Sequence, residues 1–435
     1  MTIVKSDRTK RLETPRILMI APVFYPYPPV WPEGIVNAKL ALAMKKAGWH
    51  IDIIVAGYSG GTSRYPSDTV AWQDLSDNVH IIKIAKSNTF IVKRLLNAAR
   101  GLAITGQVLR RLEWGLSVLD AVKELRAKVE YDVILSRAIP DYAHFAALLV
   151  HRQTHIPWVA NWNDPTPNHK FPPPYGQGPN SPLSPNLGKW YSAVCRHCSW
   201  HTFPSKRLQN YMSLYLPGKI NTRSSVIPHV AMGELALPAA PGNHFSLCYA
   251  GSVLPPREVS VFFEALKRFK QLLKGKNSFS VRFLVDKPDI VAERAKAMEI
   301  EDVVHIEATV PYSQMPDFLS RSDVLVIIEA PLKEGIFMPS KIVDYAQIRR
   351  PILALTPVAG TVADLLTEFG GGISADCQSA ESVGHALETL YGQWKSGTLN
   401  QTFNSDGLLG HFSEERVLGL YLDLIEMLKS RSATG

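Results

Sequence analysis

The chain has 435 residues, more than a single hydrophobic core serves and enough for two or three domains. Hydrophobic residues make up 46% and charged residues 20%, which excludes a disordered, collagen-like or low-complexity protein. The net charge of +8 is uneven: residues 1–230 carry 28 Lys and Arg against 14 Asp and Glu, the remainder 19 against 25.

Opposite signs in the two halves predict two domains with different surfaces, the basic one meeting an anionic partner such as membrane phosphates, nucleic acid or a phosphorylated substrate. The N-terminal sixteen residues are polar, with no apolar signal core, and no stretch reaches the ~20 apolar residues of a spanning helix. The expected location is therefore cytoplasmic, with peripheral contact at the inner face of the membrane left open. Four cysteines, Cys195, Cys198, Cys248 and Cys377, are too few for a disulfide scaffold and fit a reducing compartment.

In chain order, the apolar run 16–22 reads as a buried parallel strand. A Pro-rich loop at 22–32 and a helix at 35–48 closed by glycine follow, then a second buried strand at 50–56. Strands at 79–85, 133–135 and 158–160 continue the alternation, which predicts a parallel sheet covered on both faces. The pattern pauses at 220–245, where Pro228, Pro238, Pro241 and Gly242 suggest a linker. It then restarts with a strand at 245–250, a loop at 251–257, a helix at 259–273 and strands at 281–285, 303–306, 324–328 and 351–355.

The predicted fold class is α/β: two Rossmann-like doubly wound domains facing a central cleft, 1–232 and 233–410, with a helix at 411–430 packing back on the first. Segment 90–128 is different, interleaving cations with large apolar residues at helical spacing. It reads as a membrane-surface helix pair or as ordinary surface helices with a core stripe.

The most informative stretch is 334–351. It follows a strand and enters a helix near Ser340 or Lys341, and a helix start offers free backbone N–H groups to an anion. Ser340 can cap that helix or bond a phosphate, Lys341 adds a charge, and Asp344 one turn on could accept from a ribose diol; the plain alternative is a capped helix with solvated charges. At 249–257, Gly251 makes a turn and Arg257 could clamp phosphate oxygens.

These stretches resemble the retaining GT-B glycosyltransferases of family 4. Asp344 stands seven residues before Pro351 as the family's second acid does, with Asp for the usual Glu, while Glu334 precedes it by ten residues instead of eight. The Pro339-Ser340-Lys341 form resembles a branch whose lysine meets the nucleotide diphosphate. At 249–257 Gly251 keeps the family glycine, Arg257 falls where a phosphate-binding lysine lies, and Ser252 replaces an arginine. Weaker matches are 132–144 with Arg137 and His144, 156–165 with Asp164, and 225–229 with His229 for an asparagine. The glycine-pair loop near the donor survives as Gly34 alone.

The resemblance implies a hexosyltransferase-like enzyme taking a sugar from a nucleotide diphosphate sugar, uridine expected and guanosine open. The acceptor would be a saccharide or lipid-linked saccharide, in bacterial surface polysaccharide or glycolipid synthesis. Arg257, Lys341 and the helix start would stabilise the departing diphosphate without a metal, Asp344 would hold the ribose, Glu334 the sugar hydroxyls, and Arg137 a phosphate. His144 and Asp164 are the acceptor-side candidates, although His144 could equally be a core histidine. No paired nucleophile is visible, so transfer with retention would proceed on the front face.

The alternatives are a nucleotide-sugar epimerase or hydrolase on the same scaffold, or a non-catalytic module holding anionic lipid. Nucleic acid is disfavoured, since the cations do not surround a compact aromatic platform. Cys195, Cys198 and His201 have zinc-like spacing but no second pair at zinc-finger distance, and read as buried thiols. Gly370 to Gly372 reads as the turn ending a helix.

Overall fold

A computed structural model describes residues 14–29, 31–58, 72–84, 91–218, 220–233, 235, 243–274 and 279–433. The N-terminal segment 1–13, the linker residues 236–242, and positions 85 and 90 at the edges of two expected elements lie outside the described residues.

The first sheet is built from β1 (Arg16–Ile20), β2 (His50–Gly57), β3 (Val79–Lys83), β4 (Val133–Ala138), β5 (Trp158–Trp162), β6 (Trp200–Phe203) and β7 (Ser224–Val226). All pairings are parallel, in the order β3-β2-β1-β4-β5-β6-β7. The central strands are apolar and buried on both faces, as a parallel sheet sandwiched by helices requires. Its helices are α1 (Pro32–Lys46), α2 (Ile91–Thr105), α3 (Leu112–Arg126), α4 (Tyr142–Thr154), α5 (Pro185–His197) and α6 (Lys206–Ser213). Helix α1 begins three residues before the expected start because Pro32 occupies its first turn, where a missing N–H costs nothing. Cys195 and Cys198 are buried free thiols, with Cys198 Sγ 3.1 Å from His201 Nε2.

The second sheet joins β8 (Phe245–Ala250), β9 (Phe279–Leu284), β10 (Val304–Glu307), β11 (Val324–Ile328), β12 (Ile352–Thr356) and β13 (Gly372–Asp376), also parallel, in the order β10-β9-β8-β11-β12-β13. Helices α7 (Ser260–Leu272), α8 (Pro288–Ala297), α9 (Met315–Ser320), α10 (Ser340–Ile348), α11 (Thr361–Phe369), α12 (Ala380–Lys395) and α13 (Leu399–Thr402) follow in turn. Gly370 closes α11 at φ +74°, and the chain enters β13 two residues later.

The last two helices part company. In α14 (Asp406–Phe412), Leu408 and Phe412 sit in the second core, whereas Val417, Tyr421, Leu424 and Leu428 of α15 (Glu414–Ala433) sit in the first. The segment expected at 411–430 is thus broken at Ser413, and positions 411–412 stay with the second core. Lys429 reaches Asp132 at 2.9 Å to tie α15 down.

Strand order reverses between β1 and β4 in one sheet and between β8 and β11 in the other. Such switch points open crevices beyond the strand carboxyl ends, and here the two crevices face each other. The halves are stitched by Ser205 Oγ donating to the Ile336 carbonyl at 3.2 Å and by the Ala231 N–H donating to the Phe412 carbonyl at 2.8 Å.

Candidate active site

Two cavities meet at Lys341. One, of about 330 Å³, lies beyond the carboxyl ends of β8 and β9 and is lined by Gly251, Ser252, Asp286, Thr309, Tyr312 and Asp344 with Lys341. The other, of about 300 Å³, lies between the domains. Its first-domain wall includes Glu33, Asn163, Asp164, Tyr175 and His229; its second-domain wall includes Arg257, Glu329, Phe337 and the Pro339-Ser340-Lys341 run that opens α10.

Lys341 is held by local geometry. Its Nζ donates to the Ala250 carbonyl at 2.8 Å and lies 4.7 Å above the Tyr249 ring. Gly251 leaves it room: at φ +152° a side chain is disfavoured, and an added Cβ would stand 2.5 Å from Lys341 Nζ. Burial, and then the nearby Arg257 guanidinium, push the Lys341 ammonium down to about 7, while Glu329 and Asp344 partly restore it. A phosphate arriving there would replace the missing counter-charge. Pro339 occupies the N-cap of α10 and the helix start has no side-chain cap, so Ser340 does not cap it and its first N–H groups are open to an anion.

Around this cation several polar groups are left under-satisfied. Glu329, 6% exposed, accepts from the Thr356 hydroxyl, and burial raises its carboxyl to about 7. Arg257 donates to the Ser252 carbonyl at 3.4 Å, while its buried Nε has no partner. Neither ring nitrogen of His229 nor either polar atom of the Asn163 side chain has a partner. Glu33 and Asp164 are in carboxyl-to-carboxyl contact; burial raises both, and Glu33 raises Asp164 further. Buried polar groups left unpaired in a cavity are the usual complement of a polar ligand.

Several expected residues lie elsewhere. Glu334 is half-exposed and pairs with Arg207 at 2.8 Å, and Arg207 also holds Asp364. It lines neither cavity, and the buried acid near Lys341 is Glu329, which ends the β11 side of the loop. His144 is a core residue: its ring lies 4.1 Å from that of Trp162, and Nδ1 is 2.7 Å from Ser136 Oγ. Burial pushes it down to about 3, and it lines neither cavity. Arg137 is also buried, donating to Asn37 Oδ1 at 2.7 Å and to the Tyr421 hydroxyl at 3.3 Å, which joins α1 to α15. Gly34 packs in α1, where a Cβ would stand 3.0 Å from Tyr25 N; its neighbour Glu33 is the one that reaches the cavity. Asp344 borders the first cavity and is engaged by Lys39 and by the Tyr312 hydroxyl.

Glu33, Asn163, Tyr175, His229 and Glu329 line the cleft without having been expected as site residues. A signal existed for three of them: Glu329 follows directly on a buried strand, Asn163 adjoins Asp164, and His229 stands in the 225–229 match.

No family model matches the chain, and no curated protein matches it in sequence. Solved structures do. A glycosyltransferase from Rickettsia africae aligns with TM-score 0.64 and 11% identity over 96% of this chain and 99% of its own. Anabaena HepE, solved with UDP and glucose, aligns with TM-score 0.64 and 12% identity over 94% of this chain and 99% of its own. A UDP-N-acetylglucosamine 2-epimerase aligns with TM-score 0.52 and 15% identity over 94% and 95%. The chain therefore has the GT-B fold: two Rossmann-like parallel-sheet domains facing a cleft.

Proposed function

We propose that this chain transfers a glycosyl group from a nucleoside diphosphate sugar, UDP-linked, to an acceptor hydroxyl. The observation that carries the reading is Lys341 at the junction of two cavities, one beyond the carboxyl ends of β8 and β9 and one walled by carboxyl groups. The nucleoside would occupy the cavity by Gly251, Thr309 and Asp344, and the diphosphate would lie at Lys341, Arg257 and the α10 start. The sugar would face Glu33, Asp164, Asn163 and His229.

In the reaction the bond from sugar C1 to the diphosphate oxygen breaks while the acceptor oxygen bonds C1 on the same face. The acceptor proton passes to the departing phosphate, so configuration is retained. Lys341, Arg257 and the open helix N–H groups supply positive charge where the leaving oxygen becomes negative, the role a divalent ion would otherwise take. Asp164 with Glu33 orients the sugar or acceptor hydroxyls. The acceptor we assign is a saccharide or lipid-linked saccharide of bacterial surface polysaccharide or glycolipid synthesis, reached from the cytoplasmic face.

The epimerase likeness supports a second reading, conversion of a UDP-sugar without acceptor. Incubation with UDP-sugars, with and without oligosaccharide acceptors, separates them by mass spectrometry and NMR. Acceptor-dependent release of UDP with an α-configured product is expected; an isomerised UDP-sugar in the absence of acceptor would replace the transferase reading.

A further inference from the structure

Helix α2 presents its apolar side to water. Ile91, Val92, Leu95, Leu96 and Leu102 fall on one continuous arc and are 76, 67, 65, 64 and 53% exposed. Its docked side is narrow and small: Gly101 is buried, and a Cβ there would stand 2.8 Å from the Leu112 methyls. Lys93 and Arg100 flank the arc on one edge and Arg94 on the other. Residues 91–112 hold five cations, of which Arg100 pairs with Asp120 of α3 and Arg110 with Asp141, leaving Lys93, Arg94 and Arg111 as the cations nearest the arc without an acid partner among the described residues.

Beneath the helix is a cavity of about 550 Å³, walled by Ile84, Leu95, Ala98, Val108 and Trp114, with Arg94, Arg111 and Glu113 at its lining. Ile84 follows the carboxyl end of β3, and Arg110 lies 3.7 Å from Asp141, just past β4. The surface therefore sits on the strand-end edge that also forms the cleft.

We propose that α2 is an in-plane anchor that seats the first domain on an anionic phospholipid bilayer, with an acyl chain entering the cavity below it. An apolar arc on a helix that carries cations and no carboxylate of its own complements the acyl–headgroup boundary of such a membrane. A neutral protein partner would not account for the cationic border, and the inference does not depend on what the cleft catalyses.

The test is flotation of the full chain with vesicles of phosphatidylglycerol and phosphatidylcholine in equal parts, against phosphatidylcholine alone. Wild type is expected to float with the anionic vesicles and to be released by salt. Leu95→Asp with Leu96→Asp should weaken binding about tenfold or more, and Lys93→Gln with Arg94→Gln should weaken it on anionic vesicles. If the aspartates disturb the fold by circular dichroism, Leu95→Ser with Leu96→Ser repeats the comparison. Absence of wild-type binding, equal binding by the leucine variants, or a wild-type dimer that those variants dissolve would each overturn the proposal.

Discussion

Lys39 of α1 and Asp344 of α10 form an ion pair across the domain boundary, with the two side chains 7% and 20% exposed. The same carboxylate accepts from the Tyr312 hydroxyl at 2.8 Å, and Lys39 lies 5.6 Å from that ring. The acid assigned to the ribose is therefore also a link between the domains. Removing either partner leaves a largely buried charge alone, which costs about 3 kcal/mol. Lys39→Ala and Asp344→Ala should each lower stability by about that amount in urea titration, and the double variant by clearly less than the sum. Additive losses would show that the pair does not couple the domains.

Three buried histidines bear on acid stability. His144, His201 and His229 are each pushed down to about 3 by burial, far below their value of 6.5 in an unfolded chain. The unfolded state thus binds protons first, so their contribution is intact above about pH 6.5 and fades as the pH falls toward 3. Thermal unfolding should show a falling midpoint from about pH 6.5 downward, shallower in His144→Asn. A midpoint flat to about pH 4 would contradict the burial of these rings.

Gly251 should tolerate no side chain. Gly251→Ala places a methyl against Lys341 Nζ at a backbone angle that favours glycine, so it should weaken UDP-sugar binding about tenfold while the fold persists. Isothermal titration checks this, and wild-type affinity in the variant would mean that Lys341 does not meet the donor.

Glu334 and Asp164 should behave oppositely. Glu334→Gln breaks an exposed pair with Arg207 outside both cavities, so turnover should stay within about twofold. Asp164→Asn alters the carboxyl pair in the cleft and should cut turnover about a hundredfold. Initial rates of UDP release decide, and the reverse ranking would return Glu334 to the site.

The fold was legible because β11 is an unbroken apolar run and β1, β2 and β8 are interrupted by only one or two polar residues, the signature of strands buried on both faces. The strands that escaped notice lack that signature. Trp200–Phe203 alternates with His and Thr, Ser224–Val226 is a polar edge, and Gly372–Asp376 has one large apolar residue. Lys341 and Arg257, read from turns after strands, line the cleft, whereas His144 and Arg137 line neither cavity. Both stand on or beside β4, but one faces the Trp162 core and the other the seam with α15, a distinction that needs the three-dimensional packing. Glu33 was hidden because it gains its meaning from Asp164, a partner distant in sequence.

Donor binding turns most directly on Lys341. Calorimetric titration of a UDP-sugar into wild type and Lys341→Ala, from about pH 6 to about pH 9, tests it. The diphosphate diester has no group titrating near neutrality, so pH dependence would report the protein. Wild type should bind best below about pH 7 and progressively more weakly above it, as the buried ammonium loses its proton. The alanine variant should bind about tenfold or more weakly at low pH, with that pH dependence abolished. Equal affinities, or no binding to wild type at any pH, would contradict the donor site and the transferase reading built on it.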